Sequence, residues 1–156
     1  QEDILKLTED LFTGLLKELF PEKFFMEPFP RLSYDVAMAE YGVDRPDLRF
    51  EMKLKDVSEH LEDTEFQVFN NVLGAGGIIK GLVAPACADF TRSKVDDLTE
   101  FVKSRGASGL ISIGISGADE SLSDLDMSHV RSNIQRFLTL DHVRRLTDKL
   151  NVGFQA

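Results

Sequence analysis

Hydrophobic residues recur at steps of three and four along both ends of the chain. The segment Glu2–Phe20 carries one apolar stripe, made of Ile4, Leu7, Leu11, Leu15 and Leu19. This spacing predicts an amphipathic helix, which Pro21 ends. A short second helix is expected over Tyr34–Tyr41, with Ser33 as its N-cap and Gly42 at its C-terminal stop. The apolar face of the first helix is wide, so it needs a surface to pack against.

The centre of the chain has shorter apolar runs, which predict strands. Met52 and Leu54 alternate with charged residues and indicate a short strand over Glu51–Lys55. A brief helix, capped by Asp56 or Ser58, is expected to follow through Leu61. Beyond it the expected elements are two strands, Phe66–Phe69 and Ile78–Ala84, joined as a hairpin by the glycine-rich residues 70–77.

The C-terminal half returns to a helical period. A helix is predicted up to about Arg105, ended by Gly106, with a core side of Val95, Leu98, Phe101 and Val102. Leu110–Ser116 alternates in the manner of a strand. After a polar loop over Gly117–Asp126, two more helices are expected, Met127–Leu138 and Asp141–Leu150, with Asp141 as a candidate cap. This mixture predicts an α+β fold with a small, mainly antiparallel sheet and flanking helices.

Composition excludes several classes of function for this chain. Of 156 residues, 42% are hydrophobic, which is enough for a packed core, and the net charge of −9 opposes binding to nucleic acids such as DNA. The polar side of the first helix carries at least as many acids as bases, which argues against a membrane-surface helix. The one cysteine, Cys87, cannot form an internal disulfide and is expected to be a buried small hydrophobe. No apolar run has the length of a membrane span and no signal peptide is visible, so we expect a cytoplasmic protein. The absence of an initiator Met indicates an excised fragment.

No catalytic motif is complete in the sequence, because the required residues are missing at the required spacings. The glycines of Gly74–Gly81 fit neither a dinucleotide fingerprint nor a phosphate loop, and Gly114–Ala118 lacks the last glycine of a serine-hydrolase elbow. The three histidines have no carboxylate or cysteine at metal-ligand spacing and are expected to be surface or half-buried helix residues; they are His60, His129 and His142. The acid pairs Asp96-Asp97 and Asp124/Asp126 lack a calcium-loop pattern. We therefore expect no catalytic, cofactor or metal site in this segment.

Two groups of charged residues remain as candidates for binding. The stretch Tyr41–Phe50 alternates charges and contains Asp44, Arg45, Asp47 and Arg49. It is either a polar connector or a loop that faces a catalytic core or an RNA. The second group is a modest basic cluster near the C-terminus, made of Arg131, Arg136, Arg144 and Arg145. This cluster is either ordinary helix-surface charge or a weak contact site for RNA.

Longer motifs carry a resemblance to a known family. The runs Pro28-Phe29-Pro30-Arg31-Leu32-Ser33-Tyr34 and Tyr41–Phe50 resemble bacterial-type aspartyl-tRNA synthetases of class II, with Val43 and Arg45 in place of the usual Ser and Lys. Later motifs follow the order of that family's insertion, the GAD domain: Phe66–Phe69, Gly81–Pro85, Phe90–Lys94 and Gly106–Leu110. Pro85–Asp89 departs from the family's Val-Pro-Gly-Gly-Ala.

The resemblance implies an organisation and a function. It assigns residues 1–50 to the flank of a catalytic core, 51–150 to the insertion and 151–156 to a tail. The complete enzyme would charge tRNA with aspartate in translation, using ATP and Mg²⁺, as a homodimer. The family's catalytic residues lie outside this segment, so the resemblance implies a non-catalytic spacer or support on the acceptor side of the tRNA. Two alternatives remain: the tRNA-binding insertion domain of an amidotransferase, and a free-standing interaction domain.

Overall fold

A computed structural model describes residues 1–116 and 124–152 of the chain. Within these residues the helices are α1 (Glu2–Leu19), α2 (Tyr34–Tyr41), α3 (Gln67–Gly74), α4 (Arg92–Ser104) and α5 (Leu140–Leu150). The strands are β1 (Lys55–Asp56), β2 (Lys80–Gly81), β3 (Ile113–Ile115) and β4 (Val130–Ser132). Single 3₁₀ turns cover Ser58–His60 and Gln135–Phe137. The predicted polar loop Gly117–Asp126 lies mostly outside the described residues.

The strands form two small antiparallel ladders. β1 pairs with β2, with Lys55 opposite Gly81, and β3 pairs with β4, with Ile113 opposite Ser132. Both ladders pair segments that are distant in the sequence, so they fasten the helices together rather than form a broad sheet. The predicted α+β class is confirmed.

The hydrophobic core belongs to the C-terminal two thirds of the chain. Its buried members are Val57, Leu61, Phe69, Leu125, Val130, Ile134, Leu138, Val143 and Leu146. Helix α5 supplies two of them and packs against the 3₁₀ turn at Ser58–His60. By contrast, α1 buries no side chain, and α2 buries only Ala37. The apolar face of α1 is therefore open in this chain.

The hairpin predicted around the glycine-rich segment is wrong. Residues Gln67–Gly74 form helix α3, and β2 pairs with β1 instead. The reason is that Phe66 and Phe69, which a strand would place on opposite faces, stack edge to face at 5.0 Å between ring centroids. Thr64 precedes the helix, and its Oγ1 accepts a hydrogen bond from the Phe66 N–H at 3.2 Å. A short apolar run is ambiguous between the two structures, and here aromatic packing selects the helix.

The helix predicted over Met127–Leu138 is also wrong. This segment forms β4 and a 3₁₀ turn, although Val130, Ile134 and Leu138 are all buried as the spacing suggested. The backbone of Val130 pairs with that of Ile115 in the ladder with β3. Next to it the Asn133 side chain donates to the Leu110 carbonyl at 2.8 Å. These contacts satisfy backbone groups that would otherwise bond within a helix.

The remaining elements agree with the sequence in type and differ in detail. Ser33 caps α2 and Gly42 ends it with a φ of 73°. The first strand is shifted to Lys55–Asp56, and Thr139, not Asp141, caps α5. Two further expectations about burial are wrong. In α4, Leu98 and Phe101 are exposed at 40% and 55%, and Cys87 is only half-buried.

Candidate functional site

The charged loop after α2 is closed at its base by contacts between its two ends. The Leu54 N–H donates to the Glu40 carbonyl at 2.7 Å, and the Lys53 ammonium pairs with the Glu40 carboxylate at 2.8 Å. Lys80 of β2 donates to the carbonyl of Ala39, also at the end of α2, at 2.6 Å. The loop is thus mounted on the junction of α2 with the β1–β2 ladder.

Within the loop, Asp47 and Arg49 form an internal pair. Arg49 donates from Nε to Asp47 Oδ1 at 2.9 Å and from its backbone N–H to the same oxygen at 3.0 Å. The Arg49 side chain, which is 83% exposed, lowers the pKa of Asp47 to about 2 by this hydrogen bonding. Arg45 is 92% exposed and lies 3.8 Å from Asp44. Arg45 is therefore the most open cation that the loop offers to an anionic partner.

The four arginines near the C-terminus have separate structural contacts. Arg131 donates to the carbonyls of Ala88 and Phe90, the latter at 2.7 Å, and Arg144 donates to the Leu125 carbonyl at 3.2 Å. The Arg136 guanidinium lies over the Phe137 ring, 4.5 Å from its centroid. Hydrogen bonds to carbonyls position backbone segments, and they leave a guanidinium less available to phosphate. A contact of this cluster with RNA stays a prediction.

The fourth arginine belongs to a polar cluster that the sequence did not predict. Arg145 Nη2 donates to both oxygens of Asp63, at 3.0 and 2.9 Å, and its Nε pairs with Asp141 at 2.9 Å. Asp63 Oδ1 also lies 2.9 Å from Nε2 of His142, which is only 4% exposed. Hydrogen bonding from Arg145 and then from His142 lowers the pKa of Asp63. The expectation that His142 is a surface or half-buried residue is therefore wrong.

His142 also completes the N-cap of α5. Its backbone N–H donates to Thr139 Oγ1 at 3.2 Å, and the Thr139 N–H donates back to His142 Nδ1 at 3.0 Å. This is a capping box with histidine at the position usually held by Glu or Gln. The three-residue spacing of Thr139 and His142 is visible in the sequence. Asp63 is 79 positions from His142, so only the fold could reveal that contact.

The hydrogen-bonded residues Thr139, His142 and Asp63 are of the types found in a hydrolase triad. Their hydrogen bonds, however, do not allow the proton transfer that a triad performs. A triad histidine must accept the proton of the hydroxyl group through a free lone pair. Here Nδ1 already accepts the Thr139 N–H, and Thr139 Oγ1 accepts the His142 N–H. The cluster is thus suited to holding α5 against the residue 63 segment.

The other candidate chemistry has no support in the geometry. In the part of the chain that the structure describes, no three His, Cys, Asp or Glu side chains are grouped to hold a metal ion. His60 lies in the 3₁₀ turn, and His129 lies in a turn beside Asp126, at 3.6 Å. His60 is thus half-buried in a short helix, as the sequence predicted, whereas His129 is half-buried outside any helix. None of the helices described is both long and apolar enough for a membrane crossing.

Comparison with known protein families decides the classification. The family model described as the GAD domain matches residues 69–153, which is more than half of the chain. The chain belongs to the GAD domain family. The match covers α3 from Phe69 onward, both strands of the second ladder and α5. The hydrophobic core of the GAD domain begins earlier, at Val57, so its N-terminal boundary near residue 51 remains a prediction.

Relatives with assigned names extend the similarity beyond the GAD domain. An aspartate–tRNA(Asp/Asn) ligase of Dehalococcoides mccartyi (strain CBDB1) is 38% identical over 149 residues, which is 96% of this chain and 25% of the relative. The ligase of Natranaerobius thermophilus is 36% identical over 153 residues, or 98% of this chain and 24% of the relative. The chain thus spans about a quarter of the length of these relatives. The resemblance to a fragment of this synthetase family is confirmed.

Proposed function

We propose that this chain is part of an aspartate–tRNA ligase and that its GAD domain is a non-catalytic support on the acceptor side of the tRNA. The observation that carries the proposal is the similarity to ligases over 96% of the chain, which includes residues N-terminal to the GAD domain. The complete ligase would charge tRNA with aspartate in the cytoplasm as a homodimer.

The polar clusters of the chain support a structural role. Asp47 is engaged by Arg49, and Asp63 by His142 and Arg145. These acids are therefore neither a free general base nor part of a three-residue metal group among the described residues. We assign no step of aspartate activation to this part, and we propose that the rest of the complete ligase binds ATP and Mg²⁺.

A contact with tRNA would have to be local. The net charge of −9 repels a polyanion as a whole, whereas single exposed arginines can still bind a phosphate. From the two predicted groups we choose Arg45, which is 92% exposed in the loop, and Arg136, whose guanidinium lies over Phe137, to test such a contact. The loop lies at the junction of α2 with the β1–β2 ladder.

The test removes residues 51–150 from the complete ligase and separates the two half-reactions. Retained ATP–pyrophosphate exchange would show that the catalytic core is folded, and we expect tRNA charging to fall through kcat or KM. Unchanged kcat and KM for tRNA would contradict the proposal.

If the deletion abolishes exchange, Arg45→Gln and Arg136→Gln in the intact ligase decide instead, with Arg92→Gln as a matched exposed control. We expect the first two to raise KM for tRNA and leave exchange unchanged, and no effect of either would contradict a tRNA contact.

A second measurement tests the isolated chain. We expect no ATP–pyrophosphate exchange above background, because no aspartate-activating groups are assigned to it. Measurable exchange would contradict a non-catalytic role. The tRNA-binding insertion domain of an amidotransferase remains the alternative, but the relatives named above are ligases, and their similarity includes the residue 28–50 region.

A further inference from the structure

We propose that His142 is a proton-sensitive latch that closes the N-cap of α5 while its ring is neutral and opens that cap when the ring is protonated. The buried ring connects two segments that are distant in the sequence, since it contacts Thr139 on one side and Asp63 on the other. This inference does not depend on the function of the complete ligase.

The hydrogen bonds fix where the proton of the neutral ring resides. The Thr139 backbone N–H can only donate, so His142 Nδ1, 3.0 Å away, must offer its lone pair. The single ring proton of neutral His142 therefore sits on Nε2, and it points to Asp63 Oδ1 at 2.9 Å. Both ring nitrogens are thus satisfied by different segments, in a side chain that is 5% exposed.

A second proton would break one side of this arrangement. It would have to bind Nδ1, where the Thr139 N–H already points, and two donors cannot share a hydrogen bond. The Thr139 N–H would lose its partner in the capping box. Thr139 Oγ1 lies 3.1 Å from Nδ1 and could accept the new proton, but this does not restore a partner for the backbone N–H.

The charged groups that face the ring belong to Asp63, Arg145 and Asp141. Asp63 lies 2.9 Å from Nε2, Arg145 bonds to the same carboxylate, and Asp141 pairs with Arg145 at 2.9 Å. An imidazolium ring would still donate from Nε2 to Asp63, so protonation releases the cap and leaves the contact with Asp63 in place.

Release of the cap would be local. Val143 and Leu146 hold the body of α5 in the core, so the helix stays docked when its first turn opens. The expected acid form of the domain keeps its fold but has a frayed α5 N-terminus. Such local opening is detected by hydrogen exchange of individual amides.

The test is an NMR titration of the whole chain between about pH 8 and about pH 5, the range in which histidines change charge. At the alkaline end we expect the Nε2–H tautomer of His142 in ¹⁵N spectra. On protonation of the ring, the protection factor of the Thr139 amide should fall by about tenfold or more. The Lys94 amide, which Thr91 caps in α4 without a histidine, is the internal control and should keep its protection. An Nδ1–H tautomer, or constant protection at Thr139, would overturn the proposal.

Two variants separate the latch from a purely structural histidine. In His142→Gln the side-chain carbonyl can still accept the Thr139 N–H but does not titrate, so protection should become independent of pH. In Asp63→Asn the acceptor remains while the negative charge is lost, so the transition should move to lower pH. A pH dependence that survives His142→Gln would contradict the latch. If either variant fails to fold, the tautomer and amide protection of the natural chain decide alone.

Discussion

At the scale of single residues, many of the charged side chains that first suggest function are used inside the chain. Arg131 and Arg144 hold backbone carbonyls, and Asp63 is held by Arg145 and His142. Hydrogen bonds to charged groups contribute more than neutral ones, so these residues stabilise the loops that they join. The number of charged residues in the sequence is therefore larger than the number that are open to a contact with RNA.

The pKa of Asp47 gives a prediction at this scale. Arg49→Met should raise that pKa from about 2 part of the way to its ordinary value of 3.8, since the backbone N–H of Arg49 still donates to Asp47. Because the folded-state pKa is depressed, the pair stabilises the fold above pH 3.8, and this contribution is lost as the pH falls toward 2. A ¹³C NMR titration of the Asp47 carboxyl group measures the shift. Arg45→Met, which removes a partner of Asp44, should leave the Asp47 pKa in place, and an equal shift in both variants would refute the pairing.

Ala86 gives a second prediction, because it has a left-handed φ of 57°. The typical Val-Pro-Gly-Gly-Ala of the family has glycine after its proline, where this chain has Ala86 after Pro85. A side chain in this region costs roughly 1–2 kcal/mol, and glycine avoids that cost at some loss of unfolded-state entropy. Ala86→Gly should therefore raise the free energy of unfolding in urea by up to about 1 kcal/mol.

Ala88 supplies the matched control for that substitution. It lies in the same loop without a positive φ, so Ala88→Gly should lower the free energy of unfolding by about 0.4–1 kcal/mol. Loss of stability in both variants would show that the φ of Ala86 carries no strain.

At the scale of elements, local patterns predicted the structure where neighbouring residues decide it. The stripe of α1 and the cap and stop of α2 come from neighbouring residues, and both helices lie where the sequence placed them. The segment Phe66–Phe69 was predicted wrongly because four apolar residues fit a strand and a helix equally well, and it leads into α3. The helical spacing of Met127–Leu138 also failed, because Val130 joined a ladder with Ile115. Contacts between distant residues decided both cases, and a single sequence does not contain them.

Helix α3 can be distinguished from the predicted strand by two substitutions. A strand would place Val68 on the same face as Phe66, whereas the helix buries Phe69 to 6% exposure and leaves Val68 53% exposed. Phe69→Ala should cost about 3–5 kcal/mol in urea unfolding followed by circular dichroism, because it empties a core position. Val68→Ala should cost less than about 0.5 kcal/mol. The reverse order of the two values would favour the strand.

At the scale of the whole molecule, the chain divides into an open N-terminal part and a packed C-terminal part. The core runs from Val57 to Leu146, while α1 exposes Leu7 and Leu19 at 66% and 64%. Arg31 ties α1 to the segment after it through ion pairs with Glu2 and Glu9. Such exposed ion pairs contribute little to stability, so the two parts are expected to have very different stabilities.

A pair of N-terminal deletions tests that division and the predicted boundary near residue 51. Removal of residues 1–32 takes away no buried residue, so the free energy of unfolding should change by less than about 0.5 kcal/mol. Binding of an apolar dye should fall, because the exposed stripe of α1 is gone.

Removal of residues 1–50 also deletes the Ala39 carbonyl that accepts from Lys80 and the Glu40 carbonyl that accepts from Leu54. Each such hydrogen bond stabilises by about 0.5–1.5 kcal/mol, so this second chain should still fold but lose about 1–3 kcal/mol. Collapse of cooperative unfolding in the shorter deletion would mean that α1 is part of the folding unit, and the boundary would then have to move to the start of the chain.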